Sequence, residues 1–237
     1  KPGASTLFVM FSGDALRKKY QPPVFQRWSW SKHFPGHCVY FSDPVLHLDP
    51  SIGLGWYSGT KDQDALETIV KVTAEIAAHF QIDKQMIASY GSSGGGFASL
   101  RFIHLLGGGT SICINPQIIT FRYHAKHFNR YVQICYPGMV ADDVISKYPS
   151  KLDLTALGGV MARQKIIYIQ NLQDLHHVNQ HFKPFCASLG DDAPIEPGSN
   201  LPDFHKILFN DPGGHAKGES PDEFKRAMEL LASNQRK

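Results

Sequence analysis

Residues 88–98 read Ala-Ser-Tyr-Gly-Ser-Ser-Gly-Gly-Gly-Phe-Ala, and Gly91-Ser92-Ser93-Gly94-Gly95 within them has the spacing G-x-S-x-G. That spacing fits a sharp strand-to-helix turn that exposes one strained serine, here Ser93. The glycines two before and two after it let strand and helix approach without Cβ clashes. Alone the motif is weak, because a glycine-rich phosphate-binding turn can match it. A serine hydroxyl becomes a nucleophile only when a base takes its proton and an acid orients that base. After such a turn the acid and the base follow in that order, each behind a later strand. Two apolar runs supply them. The run 165–169 leads into Gln170-Asn171-Leu172-Gln173-Asp174, and the run 206–209 into Asn210-Asp211-Pro212-Gly213-Gly214-His215. Asp174 is therefore the expected acid and His215 the expected base. The chemistry would be attack on an ester or thioester carbonyl.

Other assignments are weaker. Asp211 lies too close to His215 and reads as a turn residue before Pro212, as Asp43 does before Pro44, while Asp153 has no strand before it. An oxyanion formed at Ser93 needs N–H donors. The residue after the nucleophile, Gly94, is one. The loop 11–15 after the first strand is the expected source of the second, with Asp14 preferred and Gly13 or Ala15 next. Trp56 and Tyr57 are candidates for stacking on sugar rings, as are Trp28 and Trp30; core packing is the competing reading. Gln117, Arg122 and His177 are further candidates for contact with substrate. Of 12 histidines, His177 and His181 lie four apart on an expected helix near Asp174. A metal site would need a third ligand at a familiar spacing, and none is evident, so no metal is expected. A solvated helix face, or support of the Asp174 loop by His177, is the alternative.

The elements that must position these groups are six short apolar runs at 6–11, 38–41, 86–90, 111–114, 165–169 and 206–209. Most are continuously apolar, as parallel strands covered on both faces are. Helix-like stretches at 62–80, 94–106, 176–189 and 221–231 alternate with them, predicting a single α/β domain with a mostly parallel sheet. The stretch 190–202 reads as a surface loop. The interval 117–160 is too long for a plain connection and predicts a small helical lid. Its Arg122, His124, Lys126, His127 and Arg130 would either meet an anionic ligand or form a solvated surface.

The 237 residues are 42% apolar and 19% charged, as in core-forming proteins, with a net charge of +3. No dense basic stripe points to nucleic acid and no apolar run is long enough to span a bilayer. Four widely spaced cysteines form no CxxC pair and read as buried free thiols, which suits a cytoplasmic location. The chain begins at Lys1 without methionine, so a fragment of a longer protein is one expectation.

The strand order, elbow, acid loop and histidine loop together resemble the α/β-hydrolase superfamily over nearly the whole chain. The usual N-terminal antiparallel hairpin of that superfamily has no counterpart here, and the long interval falls where it inserts a lid. Within it, Gly91-Ser92-Ser93 with its following glycines, Asn115-Pro116-Gln117, Asp174 with His177 three residues on, and Gly213-Gly214-His215 resemble bacterial capsule polysaccharide O-acetyltransferases. That resemblance implies an acetyl group moved through an acyl-serine, with acetyl-CoA as donor and a surface-glycan hydroxyl as acceptor. Ester hydrolysis is the other outcome of the same chemistry. A non-catalytic glycan-binding module of a larger assembly protein is the alternative class.

Overall fold

The computed structural model describes residues 1–235 except Pro2 and Pro197. Six strands form one parallel sheet: β1 (Leu7–Phe11), β2 (His37–Phe41), β3 (Ile87–Ser92), β4 (Thr110–Ile114), β5 (Lys165–Asn171) and β6 (Phe204–Phe209), in the spatial order β2-β1-β3-β4-β5-β6. Every residue of β1 and β4 is buried, which is why these strands read as unbroken apolar runs. All six expected strands are present, with ends shifted by one or two residues.

Helix α1 (Ala65–His79) is N-capped by Asp64, whose carboxylate accepts from the Leu66 N–H. The same carboxylate pairs with Arg101 on α2 (Gly94–Leu106), joining the two helices. The helical run expected over 176–189 is present, spans 175–189 without a gap, and carries a π-type turn within it. A turn Leu175–His177 runs into a π-type turn at Val178–Phe182 and then a helix Lys183–Leu189. Pro184 is the physical reason, since it has no N–H for the continuing ladder. The C-terminal helix Pro221–Asn234 starts with a capping box between Ser220 and Glu223.

The interval 117–160 carries α3 (Ala125–Cys135), α4 (Ala141–Lys147) and shorter turns. Phe128, Tyr131, Val132, Val144, Leu152 and Leu154 from this segment are buried in the same cluster as Trp56, Phe97 and Leu100. It is a packed layer continuous with the core. The four cysteines are free, and three are buried. Among the described residues no helix is long and apolar enough to cross a membrane.

The strand order reverses between neighbours β1 and β3. The chain leaves β1 toward β2 on one side, and from β3 it proceeds toward β4 on the other. A crevice forms at the C-terminal ends of strands at such a switch. The loops after β1 and β3 therefore face each other, and they hold Asp14 and Ser93.

Candidate active site

Ser93 sits between β3 and α2 at φ 55° and ψ −121°, an unfavourable backbone for a residue with a side chain. The glycines explain how the chain reaches it. A Cβ on Gly95 would stand 2.6 Å from the Phe11 carbonyl oxygen, and one on Gly91 would meet the backbone of Gly95. Ser93 is half-buried, so its hydroxyl is reachable.

The loops after β5 and β6 bring Asp174 and His215 to it. His215 Nε2 lies 3.1 Å from Ser93 Oγ, and His215 Nδ1 lies 2.7 Å from Asp174 Oδ2. With Nδ1 protonated and donating to the carboxylate, Nε2 is left as acceptor for the serine hydroxyl. Two asparagines hold the loops in register. Asn115 Oδ1 accepts from the Asn171 N–H, and its Nδ2 donates to the Lys217 carbonyl. Asn171 Nδ2 donates to the carbonyls of Asp211 and Gly214, while its Oδ1 accepts from the N–H groups of Gln173 and Asp211. Asn171 thus ties the acid loop to the histidine loop. Both asparagines are short polar residues at the end of apolar strands, the one signal that marks them.

Asp174 carries a second imidazole. His177 Nδ1 lies 3.1 Å from Asp174 Oδ1 and 3.0 Å from Oδ2, and its ring stacks on His215 at 4.0 Å between centroids and 8° between planes. Burial alone would raise the Asp174 pKa, but hydrogen bonds from His177 and His215 outweigh it and hold the carboxyl well below the usual range. Burial drives His177 down to about 4, against the pull of Asp174. It is therefore neutral near pH 7, and its buried Nε2 has no partner among the described residues. His177 is only 2% exposed, so the expectation that it touches substrate is corrected: the Asp174 carboxylate caps its turn and draws it inward. His181 is not on a solvated face either. It is buried, and its Nδ1 accepts from the N–H groups of Ile118 and Ile119.

Gln117 is fully buried and donates from Nε2 to Ser93 Oγ at 2.9 Å. Its orientation is fixed because Oε1 accepts from the Trp56 indole N–H, which can only donate. This corrects two expectations. Gln117 faces the nucleophile, and Trp56, with 0% exposure, is a core residue that orients Gln117. Tyr57 is likewise buried. Its hydroxyl accepts from the Ser12 N–H and donates to the Phe41 carbonyl. Neither ring is open to stack on a sugar. Both are held at positive φ beside Asp43, whose carboxylate accepts from the N–H groups of Val45, Gly55 and Tyr57.

The candidate oxyanion donors separate clearly. Gly13 donates its N–H to Gln26 Oε1 at 2.9 Å, and Ala15 donates to the Gly53 carbonyl at 2.9 Å. Both are committed, which removes Gly13 and Ala15. The N–H of Asp14 has no partner among the described residues, nor does that of Gly94 at the first position of α2. Gln26 also donates from Nε2 to the Asp14 carbonyl, so one amide clamps the loop from both sides. No pattern in the sequence marks Gln26. Behind the elbow, Arg27 pairs bidentately with buried Glu219 and donates to Ser92 Oγ, and Tyr90 donates to the same glutamate. Arg122 is exposed beside the His181 side of the cap, with no contact to Ser93.

Asp174, His177 and His215 offer ligand atoms within 4.8 Å of one another, the spacing of a small metal site. Each histidine meets the carboxylate through Nδ1, as a hydrogen-bonded pair does, and His215 Nε2 turns to Ser93.

No family model matches the sequence, and no curated protein matches it. Solved structures match over the whole chain at low identity. The capsule O-acetyltransferase of Neisseria meningitidis serogroup A is 12% identical at a TM-score of 0.62, covering 100% of this chain and 89% of that one. Another structure of that enzyme contains CoA, with a TM-score of 0.60 and 12% identity over 99% of this chain and 89% of that one. An acetyl xylan esterase from Paenibacillus is 14% identical at 0.57, covering 98% of this chain and 75% of that one. A chain of the glycosylation-associated Gap123 complex from Streptococcus agalactiae is 14% identical at 0.55; 98% of this chain matches 42% of that longer one. These likenesses, together with the all-parallel sheet and the strained serine turn, show that the chain has the α/β-hydrolase fold.

Proposed function

We propose that this chain is a serine enzyme that transfers an acyl group, through an acyl-serine on Ser93, from an ester or thioester to water or a sugar hydroxyl. The observation that carries the reading is the unbroken line Ser93 Oγ, His215 Nε2, His215 Nδ1, Asp174 Oδ2, at 3.1 and 2.7 Å. Enzymes with this fold in the comparisons include esterases and an O-acetyltransferase.

In the mechanism, His215 Nε2 takes the Ser93 proton as Oγ bonds to the carbonyl carbon, and the carbonyl π pair becomes an oxyanion. The N–H groups of Gly94 and Asp14 receive that oxygen. On collapse the carbon–sulfur or carbon–oxygen bond breaks, and the leaving group takes the proton back from His215. An acceptor hydroxyl then gives its proton to His215 and attacks the acyl-serine, and Ser93 Oγ leaves and regains a proton. Asp174 fixes the tautomer and stabilises the imidazolium. His177 is a positioning residue: its Nδ1 sits against both oxygens of the Asp174 carboxylate, and its ring backs that of His215. Gln117 steers the Ser93 hydroxyl by donating to its oxygen, leaving the O–H free to point at His215. In the transfer reaction acetyl-CoA is the acyl donor, a co-substrate and not a resident group.

Intact-mass measurement after incubation with acetyl-CoA or p-nitrophenyl acetate tests this. The wild type should gain one acetyl group, and Ser93→Ala should gain none. Acetylation that persists in Ser93→Ala would overturn the reading. Turnover abolished by a chelator and restored by a metal would instead select a metal site at Asp174, His177 and His215.

A further inference from the structure

Beside the nucleophile the surface opens into a cleft of about 750 Å³. One wall continues from the loop after β1 through Arg17, Lys18 and Lys19. Helix α3 also lines the cleft, with Lys126 and Arg130. Asp14 is the only acidic residue in the lining, against five Lys and Arg. The local balance of +4 exceeds the +3 of the entire chain, so the basic charge is gathered here and not spread evenly. Two of the five cations are structurally committed. Arg17 donates to the carbonyls of Leu46 and Ile52, and Arg130 pairs with Asp49 at 3.0 Å. Lys18, Lys19 and Lys126 make no ion pair among the described residues. They line one cleft, so their fields add within it.

The cleft is continuous with the site already described. Asp14 lines it, and the N–H of Asp14, the proposed oxyanion donor, has no partner among the described residues. Leu54 lines it as well and packs so closely on Gly94 that a Cβ there would collide with it. The lining of the cleft thus reaches residues packed against the Ser93 turn. Several ammonium groups lining a space of this size suit a ligand with several negative charges better than a lone carboxylate.

We propose that the cleft is a subsite for a phosphate-bearing part of the acyl substrate. This rests on the reading of Ser93 as nucleophile and extends it to the substrate's chemistry. A phosphate ester can enter from either reactant: a nucleotide thioester donor, or a phosphorylated sugar acceptor.

The test is a triple variant, Lys18→Ala with Lys19→Ala and Lys126→Ala, checked for a native unfolding transition. Calorimetry measures binding of coenzyme A and, separately, of N-acetylglucosamine 1-phosphate to wild type and variant. The expected result is that at least one binds the wild type and weakens on the order of tenfold or more in the variant. Weakening of coenzyme A alone assigns the donor; weakening of the sugar phosphate alone assigns the acceptor. In kinetics, the ratio of kcat/KM for acetyl-CoA to that for neutral p-nitrophenyl acetate should fall by a similar factor if the donor binds there. Higher salt should weaken the wild type's binding and have less effect on the variant's. Binding of both probes at equal strength in the two proteins, or of neither probe to the wild type, overturns the subsite. Failure of Ser93 acetylation, by contrast, overturns the catalytic reading and leaves the binding result standing.

Discussion

At the scale of single residues, the site is a set of polar groups whose partners leave little choice of role. Asp174 holds two imidazoles at once, so His177→Phe should keep the stacked shape and lose one hydrogen bond to the carboxylate. Such a bond to a charged group contributes about 1.5–3 kcal/mol, so kcat should fall about tenfold to a hundredfold; steady-state kinetics beside His177→Gln would read it. Recovery in the glutamine variant would separate positioning of Asp174 from simple packing. Gln117→Leu should remove the donor to Ser93 and leave the Trp56 indole N–H buried without a partner. That should cost about 1–3 kcal/mol in chemical denaturation, together with a lower kcat. The meeting of Ser93, Asp174 and His215 at one end of the sheet is legible in the sequence because glycines, strand ends and chain order constrain their places. For Trp56 and Tyr57 the sequence leaves sugar stacking and core packing both open, because an aromatic ring with a polar tip serves a core or a binding face equally well. Only the positions of Gln117, Ser12 and Phe41 decide it.

At the scale of elements, two contacts hold the serine turn. The first is the close approach of β1 to α2. Gly95→Ala should push the Phe11 carbonyl and Ser12 backbone away, with a loss of about 2–4 kcal/mol in urea unfolding. The second is the brace behind β3. Arg27→Met would leave Glu219 buried with only Tyr90 as partner, at a cost of about 3–5 kcal/mol. The same denaturation series measures it, and a change under 1 kcal/mol would contradict the brace. The strands were readable because burial on both faces leaves unbroken apolar runs. Arg27 and Glu219 lie 192 positions apart, and no local pattern links them. The helix after Asp174 is readable from its spacing, whereas the π-type turn inside it is not, because the histidines before Pro184 keep an ordinary helical spacing.

At the scale of the whole molecule, buried ionisable groups set the response to acid. His177 is lowered by burial from 6.5 to about 4, so between those values the unfolded chain binds a proton that the folded chain refuses. Stability is then complete above pH 6.5 and falls as pH drops toward 4, by on the order of 3 kcal/mol from this residue. Burial lowers His181 further, in the same direction. Asp43 opposes them. Burial raises it to about 6, so acid favours the fold as pH drops from 6 toward 3.8. Two histidines outweigh one carboxylate, and urea unfolding should weaken steadily from pH 6.5 to 4; a flat profile would contradict neutral buried imidazoles. The parallel sheet and its switch point were visible in the alternation of runs and helices, whereas the depth to which segment 117–160 joins the core was not. The central claim is that Ser93 is the one activated hydroxyl of this molecule. Labelling with a fluorophosphonate probe, followed by peptide mass mapping, tests it most directly. The account predicts a single adduct on Ser93, lost in Ser93→Ala and strongly slowed in His215→Ala. An adduct on another serine, or undiminished labelling of Ser93→Ala, would contradict it.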